Sequence, residues 1–171
     1  MAVPPAQAVP LLGSASHLAD PARTSDMEPG WAVALSLPHA LDTAAEAVFV
    51  RSGPLDWIAR DASKPGRDAT ENWVLQSTPS WAREHLDDDP QQVANALTAA
   101  ASKVLGLAIP TPVFQHAHRW LYARPTVASD LGAMKASEQG LFVCGDWCLG
   151  GRLEAAWLSG QRAAKALINT P

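Results

Sequence analysis

Charge is scarce in this sequence and nowhere concentrated. Only 18% of its 171 residues are Asp, Glu, Lys or Arg, and the formal net charge is −4. Without a basic patch or a lysine-arginine run there is nothing to hold a phosphate backbone, which excludes nucleic acid as a partner; no acidic tail calls for a basic one. Cysteine is almost absent as well: Cys144 and Cys148 cannot form a disulfide framework. A Cys-x-x-x-Cys pair lacking a second ligand pair is not a zinc signature either, and no metal is expected. No apolar run reaches the roughly 18 to 20 residues that span a bilayer. The opening MAVPPAQAVPLLG lacks a basic start and has prolines where a secretory signal needs an apolar helix. These absences leave a cytoplasmic globular protein with no membrane partner. Its 47% apolar residues are enough for one main core.

What is present reads as two kinds of structure. MAVPPAQAVPLL resembles the last residues of a buried strand followed by a proline-started helical turn, as though the chain begins in mid-fold. A polar loop is expected through Asp20, Pro21 and Asp26. Strands are expected at 31–37 (WAVALSL), 47–51 (AVFVR), 55–61 (LDWIARD) and 71–78 (ENWVLQST), with Ser52-Gly53-Pro54 as a hairpin turn. Four strands in succession with no long helix between them imply an antiparallel sheet. A helix follows over 89–105, with Asp89 as N-cap, Pro90 at its first position, Gln92 completing a capping box and Gly106 ending it. Val93, Ala96, Leu97, Ala100, Val104 and Leu105 are its expected buried face. The acidic run Asp87-Asp88-Asp89 suits the positive end of that helix and needs no ligand.

The stretch 113–123 (VFQHAHRWLYA) has strand character, and a period of two sets His116, His118, Trp120 and Tyr122 on one face. A His-x-His pair without a third ligand is part of a polar and aromatic sheet face more often than a metal site. Such a face can also border a flat ligand, and His118, Trp120 and Tyr122 are the candidate substrate-pocket residues.

The chemistry is densest in GLFVCGDWCLGGRLEAAWLSGQRAAKAL, near the end of the chain. The unbroken apolar run Leu141 to Cys144 reads as a strand covered on both faces, as in a parallel sheet, and it delivers Gly145-Asp146 at its end. Leu153, Ala156, Trp157, Gly160, Ala164, Leu167 and Ile168 recur at helical spacing. Within them Ala156, Gly160 and Ala164 form a small-residue row expected to lie close against the sheet. Half of a P-loop is visible, but Gly151-Arg152 stands where Lys-Ser or Lys-Thr must be, so no phosphate-magnesium site results. What remains is an acid at a strand end, glycines that bare the backbone, and a helix start with free N–H groups. Ligands of α/β sheets bind there. An acid repels phosphate but accepts hydroxyls, while the helix start favours an electron-rich edge; a flavin's ribityl chain and N1/O2 edge offer both.

CGDWCLGGRLEAAWLSGQRAA resembles the C-terminal flavin motif of the FAD-dependent amine-oxidase superfamily, and most closely its bacterial renalase-like branch. AHRWLYARP, LDWIARDASKPGR and WVLQSTPSWAREHLDDDP resemble that branch too. The resemblance implies FAD as cofactor, with Gly145, Asp146, Trp147, Gly151, Arg152, Leu153, Glu154 and Ala155 around it. Asp146 matches the acid at the ribityl or pyrophosphate region, and Leu153 and Glu154 match the helix-start pair whose backbone faces flavin O2 and N1. Ala155 stands where many members have glycine, and Trp147 and Arg152 are pocket neighbours. The resemblance further implies hydride transfer from a small-molecule substrate, a reduced nicotinamide or an amine, to flavin and then to oxygen. The family's N-terminal Gly-x-Gly-x-x-Gly unit, which grips the ADP half of FAD, has no counterpart among these glycines. The expected fold is therefore mixed α+β and α/β. Residues 1–20 are a remnant of an FAD domain, 21–125 an antiparallel substrate domain, and 126–171 the C-terminal strand and helix of a Rossmann-like FAD domain. The missing half would come from upstream or from a separate subunit. The competing expectation is a truncated, non-catalytic binding remnant.

Overall fold

The structure, a computed structural model, describes residues 1–13, 15–67 and 70–170. The elements in chain order are α1 (Pro5–Leu11), α2 (Ser16–Thr24), β1 (Met27–Leu37), β2 (Ala47–Ser52), β3 (Leu55–Arg60), β4 (Glu71–Ser77), α3 (Pro79–Glu84), α4 (Pro90–Leu105), β5 (Phe114–Pro125), β6 (Met134–Ala136), β7 (Leu141–Val143) and α5 (Leu153–Ile168). They form two compact units, one of residues 29–121 and one combining 1–28 with 122–171. Sequence alone put these divisions at 20/21 and 125/126. Asp68 and Ala69 lie outside the described residues.

Residues 29–121 are built on a five-stranded sheet of order β2-β3-β4-β1-β5. Its central pairings, β1 with β4, β3 with β4 and β2 with β3, are all antiparallel, as four strands in succession predict. Alternation sorts the side chains. Trp31, Val33, Leu35 and Leu37 of β1, with Trp73 and Leu75 of β4 and Ile58 of β3, turn to one side and are buried with Val93, Ala94, Leu97 and Ala101 of α4. Each large side chain so buried contributes about 1.5–3 kcal/mol. The buried face of α4 is rotated from the expected one: Ala94 and Ala101 are inside, whereas Ala96 and Val104 are exposed. Alanine carries too little apolar surface for hydrophobic counting to tell one helix face from its neighbour. The ends of α4 are as expected. The Asp89 carboxylate accepts from the Gln91 and Gln92 N–H groups, and Gly106 caps the other end at φ 69°. In the acidic run, Asp87 pairs with Arg119 and Asp88 with His85.

One buried carboxylate fastens the start of β4. Glu71 accepts from Arg60 Nε at 3.1 Å and Nη2 at 2.7 Å, from Trp73 Nε1 at 2.9 Å and from the Leu41 N–H at 3.3 Å. Burial alone would raise its pKa. The hydrogen bonds from Arg60, Trp73 and Leu41, with the Arg60 charge, outweigh burial and hold it below the usual value.

The unit of residues 1–28 and 122–171 gathers α1, α2, β6, β7 and α5 around a second core of Ala8, Leu12, Leu18, Met134, Val143, Trp147 and Cys148. Here the structure departs from the sequence reading in two places. A helix, α2, occupies the expected polar loop, burying Leu18, Ala19 and Ala22 although Pro21 sits inside it. The strand at 141–143 pairs antiparallel with β6, and its parallel contact is confined to the bridge between Ala2 and Cys144. That bridge is closed by the Cys144 N–H donating to the Met1 carbonyl at 3.0 Å and the Met1 amino group donating to the Phe142 carbonyl at 2.7 Å.

Candidate functional site

The segment from β7 to α5 turns sharply, and the chain's own packing explains most of its glycines. Gly145 is extended, with φ 167° and ψ 167°, a conformation open to any residue. It must be glycine for room, because a Cβ there would lie 2.6 Å from Trp147 Nε1. Its N–H donates to Ser159 Oγ at 3.1 Å, which ties the strand end to the middle of α5. Asp146 opens a single turn of 3-10 helix over Asp146–Cys148, and its carbonyl accepts from the Leu149 and Gly151 N–H groups, both at 2.9 Å. Gly151 has φ 81°, and a Cβ there would collide with the Pro125 ring, so it is required twice over. Gly150, at φ 99°, faces open space, with only the Ala128 methyl at 3.9 Å from a notional Cβ.

The side chains of the turn divide between core and surface. Trp147 is 1% exposed and donates from its indole to the Val3 carbonyl at 3.0 Å, so it is a plug beneath the loop and not part of its rim. Cys148 is buried beside it. Burial pushes the Cys148 thiol up to about 11, tempered by a hydrogen bond with Ser159 and reinforced by Cys144 and by the Asp146 carboxylate nearby. Asp146 itself is half-buried, and among the described residues no donor meets its carboxylate. Arg152, at the N-cap position of α5, is exposed and extended (φ −109°, ψ 158°) and provides no side-chain cap. The first α5 turn therefore keeps its N–H groups free at Leu153, Glu154 and Ala155; the next, at Ala156, bonds to the Arg152 carbonyl at 3.1 Å. Leu153 and Glu154 are exposed and Ala155 is buried.

The structure thus brings together Gly145, Asp146, Gly151, Arg152 and the first residues of α5, and takes Trp147 below them. Sequence reasoning missed Ser159, Pro125 and Val3, which hold the turn in shape. Ser159 is fully buried mid-helix, and a lone serine in an apolar repeat carries no signal of its role.

The second candidate set lies on β5. His118 and Trp120 are exposed neighbours, their rings 4.5 Å apart at 68°, and Phe114 and His116 form a looser stack at 6.4 Å. Ala117, on the opposite face, is buried in the sheet's core, which confirms the period of two. Tyr122 is half-buried and belongs to the other unit. Beside His116 and His118 is an open recess of about 490 Å³, also bordered by Trp31, Asp87, Asp88 and Arg119. Of its carboxylates, Asp87 meets Arg119 at 3.0 Å and Asp88 hydrogen-bonds with His85 Nδ1 at 2.6 Å. Among the described residues no group of His, Cys, Asp and Glu could hold a metal ion, and no helix is long and apolar enough to cross a membrane.

Comparison with known proteins gives the fold and the family of the chain. The chain aligns along 98% of its length with a protein from Exiguobacterium sp. 255-15 assigned as a protoporphyrinogen oxidase, at 13% identity and a TM-score of 0.70. It aligns over 89% of its length with cyclohexylamine oxidase from Brevibacterium oxydans IH-35A, at 14% identity and a TM-score of 0.61. A redesigned double mutant of putrescine oxidase matches over 88%, at 13% identity and a TM-score of 0.63. At such identities the likeness is one of fold. The chain spans 40%, 37% and 37% of those structures. The sequence itself fits the flavin containing amine oxidoreductase family over residues 1–168, and the chain belongs to that family.

Proposed function

We propose that this chain holds the ring and ribityl half of FAD in a renalase-like oxidoreductase, with the β7–α5 turn as the holding element. The observation that carries the reading is the uncapped start of α5 beside a half-buried Asp146 with no donor among the described residues. A free helix start favours negative charge by up to about 2 kcal/mol when partly buried, which for a two-electron couple is about 40 mV. The N–H groups of Leu153 and Glu154 are assigned to the electron-rich edge of the ring system. The Asp146 carboxylate is assigned to ribityl hydroxyls, Arg152 flanks the site, and the open approach at Gly150 leaves room for the cofactor. A flavin bound there would supply a two-electron acceptor for a reduced nicotinamide or an amine, with oxygen as the final acceptor.

The part left to this chain is placement. Hydride transfer depends on holding donor and acceptor in register and excluding water more than on an acid or base. His118 and Trp120 are assigned as an aromatic border for the small-molecule substrate, and Tyr122, which belongs to the other unit, as a separate candidate for contact with it. We assign the ADP half of the cofactor to polypeptide outside this sequence, upstream or in a separate subunit carrying Gly-x-Gly-x-x-Gly, and the compartment to the cytoplasm.

Fluorescence titration with riboflavin and with FAD tests this directly. Both should bind weakly and with affinities within a few-fold of each other, because only the part they share is held. Asp146→Ala should weaken both by about tenfold, roughly the 1.4 kcal/mol of one lost charge-assisted hydrogen bond. Unchanged affinity in that variant, or no binding of either ligand at millimolar concentration, would remove the turn from the cofactor site.

A further inference from the structure

The two groups assigned to the cofactor stand on different elements, the Asp146 carboxylate on the turn and the free Leu153 and Glu154 N–H groups on α5. A single ligand can meet both only while the turn is fixed against the helix. The connecting backbone does not fix it unaided. Gly150 and Gly151 lie between the two groups and Gly145 stands just upstream of Asp146, and glycine is the residue least able to hold a backbone direction by itself. Hydrogen bonds supply the hold. Downstream, the Asp146 carbonyl accepts from the Leu149 and Gly151 N–H groups. Upstream, the Gly145 N–H donates to Ser159 Oγ at 3.1 Å, and the same side chain hydrogen-bonds the Cys148 thiol. Ser159 stands six positions beyond Leu153, about 9 Å along the helix, and is fully buried between Ala155 and Ala163 in the inward row. Alanine would suit a buried helix position better. A hydroxyl that serves the residues on both sides of Asp146 is a tie between turn and helix.

We infer that Ser159 is a positioning residue for this site, holding the Asp146 carboxylate in register with the first N–H groups of α5. The inference rests on the cofactor reading of the turn and adds a residue to it. Ser159 touches no ligand; it acts through Gly145, which is bonded to Asp146. Without the hydroxyl, Gly145 is an extended glycine, φ 167° and ψ 167°, with no side chain to steer it. The carboxylate then swings relative to the helix start. A binding group has to be held within about 0.5 Å of its working place, so a ligand docked on the α5 N–H groups loses the acid. Ligands should sort accordingly. Riboflavin offers hydroxyls to Asp146 and a ring edge to the helix, and it needs the register. Lumiflavin, which has the same ring system and a methyl group in place of the ribityl chain, meets the helix alone and does not need it.

Fluorescence titration of the parent, Ser159→Ala, Asp146→Ala and the double variant with both ligands tests this. Asp146→Ala should weaken riboflavin about tenfold in the parent and less than about twofold in the Ser159→Ala background. Ser159→Ala by itself should weaken riboflavin about five- to tenfold and leave lumiflavin within about twofold of the parent. Ser159→Thr keeps the hydroxyl and crowds a closed site. Its urea midpoint should fall while the dependence on Asp146 stays at about tenfold, which separates positioning from stability. Should Ser159→Ala fail to fold, Ser159→Cys, kept reduced, puts a weaker acceptor in the same place and should show an Asp146 effect of about two- to fivefold. An undiminished Asp146 effect in Ser159→Ala or Ser159→Cys overturns the inference. Equal loss of riboflavin and lumiflavin does so too, and makes Ser159 a structural tie only. A parent that binds neither ligand at millimolar concentration fails the cofactor reading and takes this inference with it. A parent that binds, with no dependence on Ser159, fails this inference alone.

Discussion

Replacing Ser159 with alanine removes one oxygen from the middle of α5 and should loosen the turn that opens the candidate site. The hydroxyl is 0% exposed, accepts the Gly145 N–H at 3.1 Å and hydrogen-bonds the Cys148 thiol. Gly145 then keeps a part-buried donor with no protein acceptor, at a cost of about 1–3 kcal/mol. Alanine returns about 0.5 kcal/mol through its higher helix propensity. The net loss is about 0.5–2.5 kcal/mol, and it is local. Two measurements read it. Urea unfolding should give a lower midpoint with an unchanged slope. Amide exchange should show the Gly145 N–H losing roughly tenfold or more of its protection, while β3 and β4 amides in the other unit hold theirs. The Cys148 thiol, deprived of the one neighbour that lowers its pKa, should titrate still higher. A variant within about 0.5 kcal/mol of the parent, with Gly145 exchange unchanged, would refute the reading of Ser159 as the tie between strand end and helix.

Three further expectations follow from groups already described. Glu71→Gln discards the charge that binds Arg60 and should cost about 2–4 kcal/mol, less than a fully buried pair because Arg60 is about a quarter exposed. In the parent, the depressed Glu71 pKa makes its stabilisation complete above about pH 4.5 and lost as pH falls through the lower folded value; a urea series from pH 6 to 3 should be steeper for parent than for variant. The Cys148 thiol is raised from 9.0 to about 11, so the unfolded chain releases that proton first and stability should fall between those pH values; at pH 8 iodoacetamide should label Cys144 and spare Cys148. Asp89→Ala, which removes the acceptor for two N–H groups at the start of α4, should lower stability by about 1 kcal/mol in the same urea assay.

The sheet was legible because its strands announce themselves. Alternating large apolar residues in WAVALSL and ENWVLQST, and a Gly-Pro turn between β2 and β3, leave little choice of partner or face. The helix capped by Asp89, Pro90 and Gly106 was equally plain. Other elements carry weak or contradictory signals. The α2 segment contains Pro21 and buries two alanines beside one leucine, so neither propensity nor periodicity speaks for a helix. In α5 the repeat gives the helix correctly and its buried side wrongly. The inward face is Ala155, Ser159 and Ala163, and any count of hydrophobicity prefers Leu153, Trp157 and Ile168. Burial there is decided by which neighbour exists, a fact that no local pattern contains. The sequence pointed to the turn between Gly145 and the start of α5, where the structure has Asp146 half-buried and Arg152 exposed, but Trp147 was not legible as core. An aromatic beside a ligand and an aromatic beneath a loop look alike in sequence.

The glycines of that turn bear on how the cofactor assignment should be tested. Gly145 lacks a side chain because Trp147 needs the space, and Gly151 because Pro125 does and because its φ is positive. Gly150 is also at positive φ, so even its open side would not spare a substitution from strain. Alanine at any of the three would therefore disturb folding whether or not a ligand is ever bound. Loss of flavin in such a variant would say nothing about contact. The same holds for Trp147, whose indole serves the Val3 carbonyl. Only groups with no structural employment can report on binding. Asp146 qualifies, since no donor among the described residues meets its carboxylate. The first N–H groups of α5 qualify as well, and that of Leu153 can be removed without breaking the helix by placing proline at its first position, Leu153→Pro, where no intrahelical bond is lost. If the turn holds a flavin, Leu153→Pro should keep the unfolding midpoint and weaken riboflavin binding. If the turn is a plain crossover, both should stay as they were.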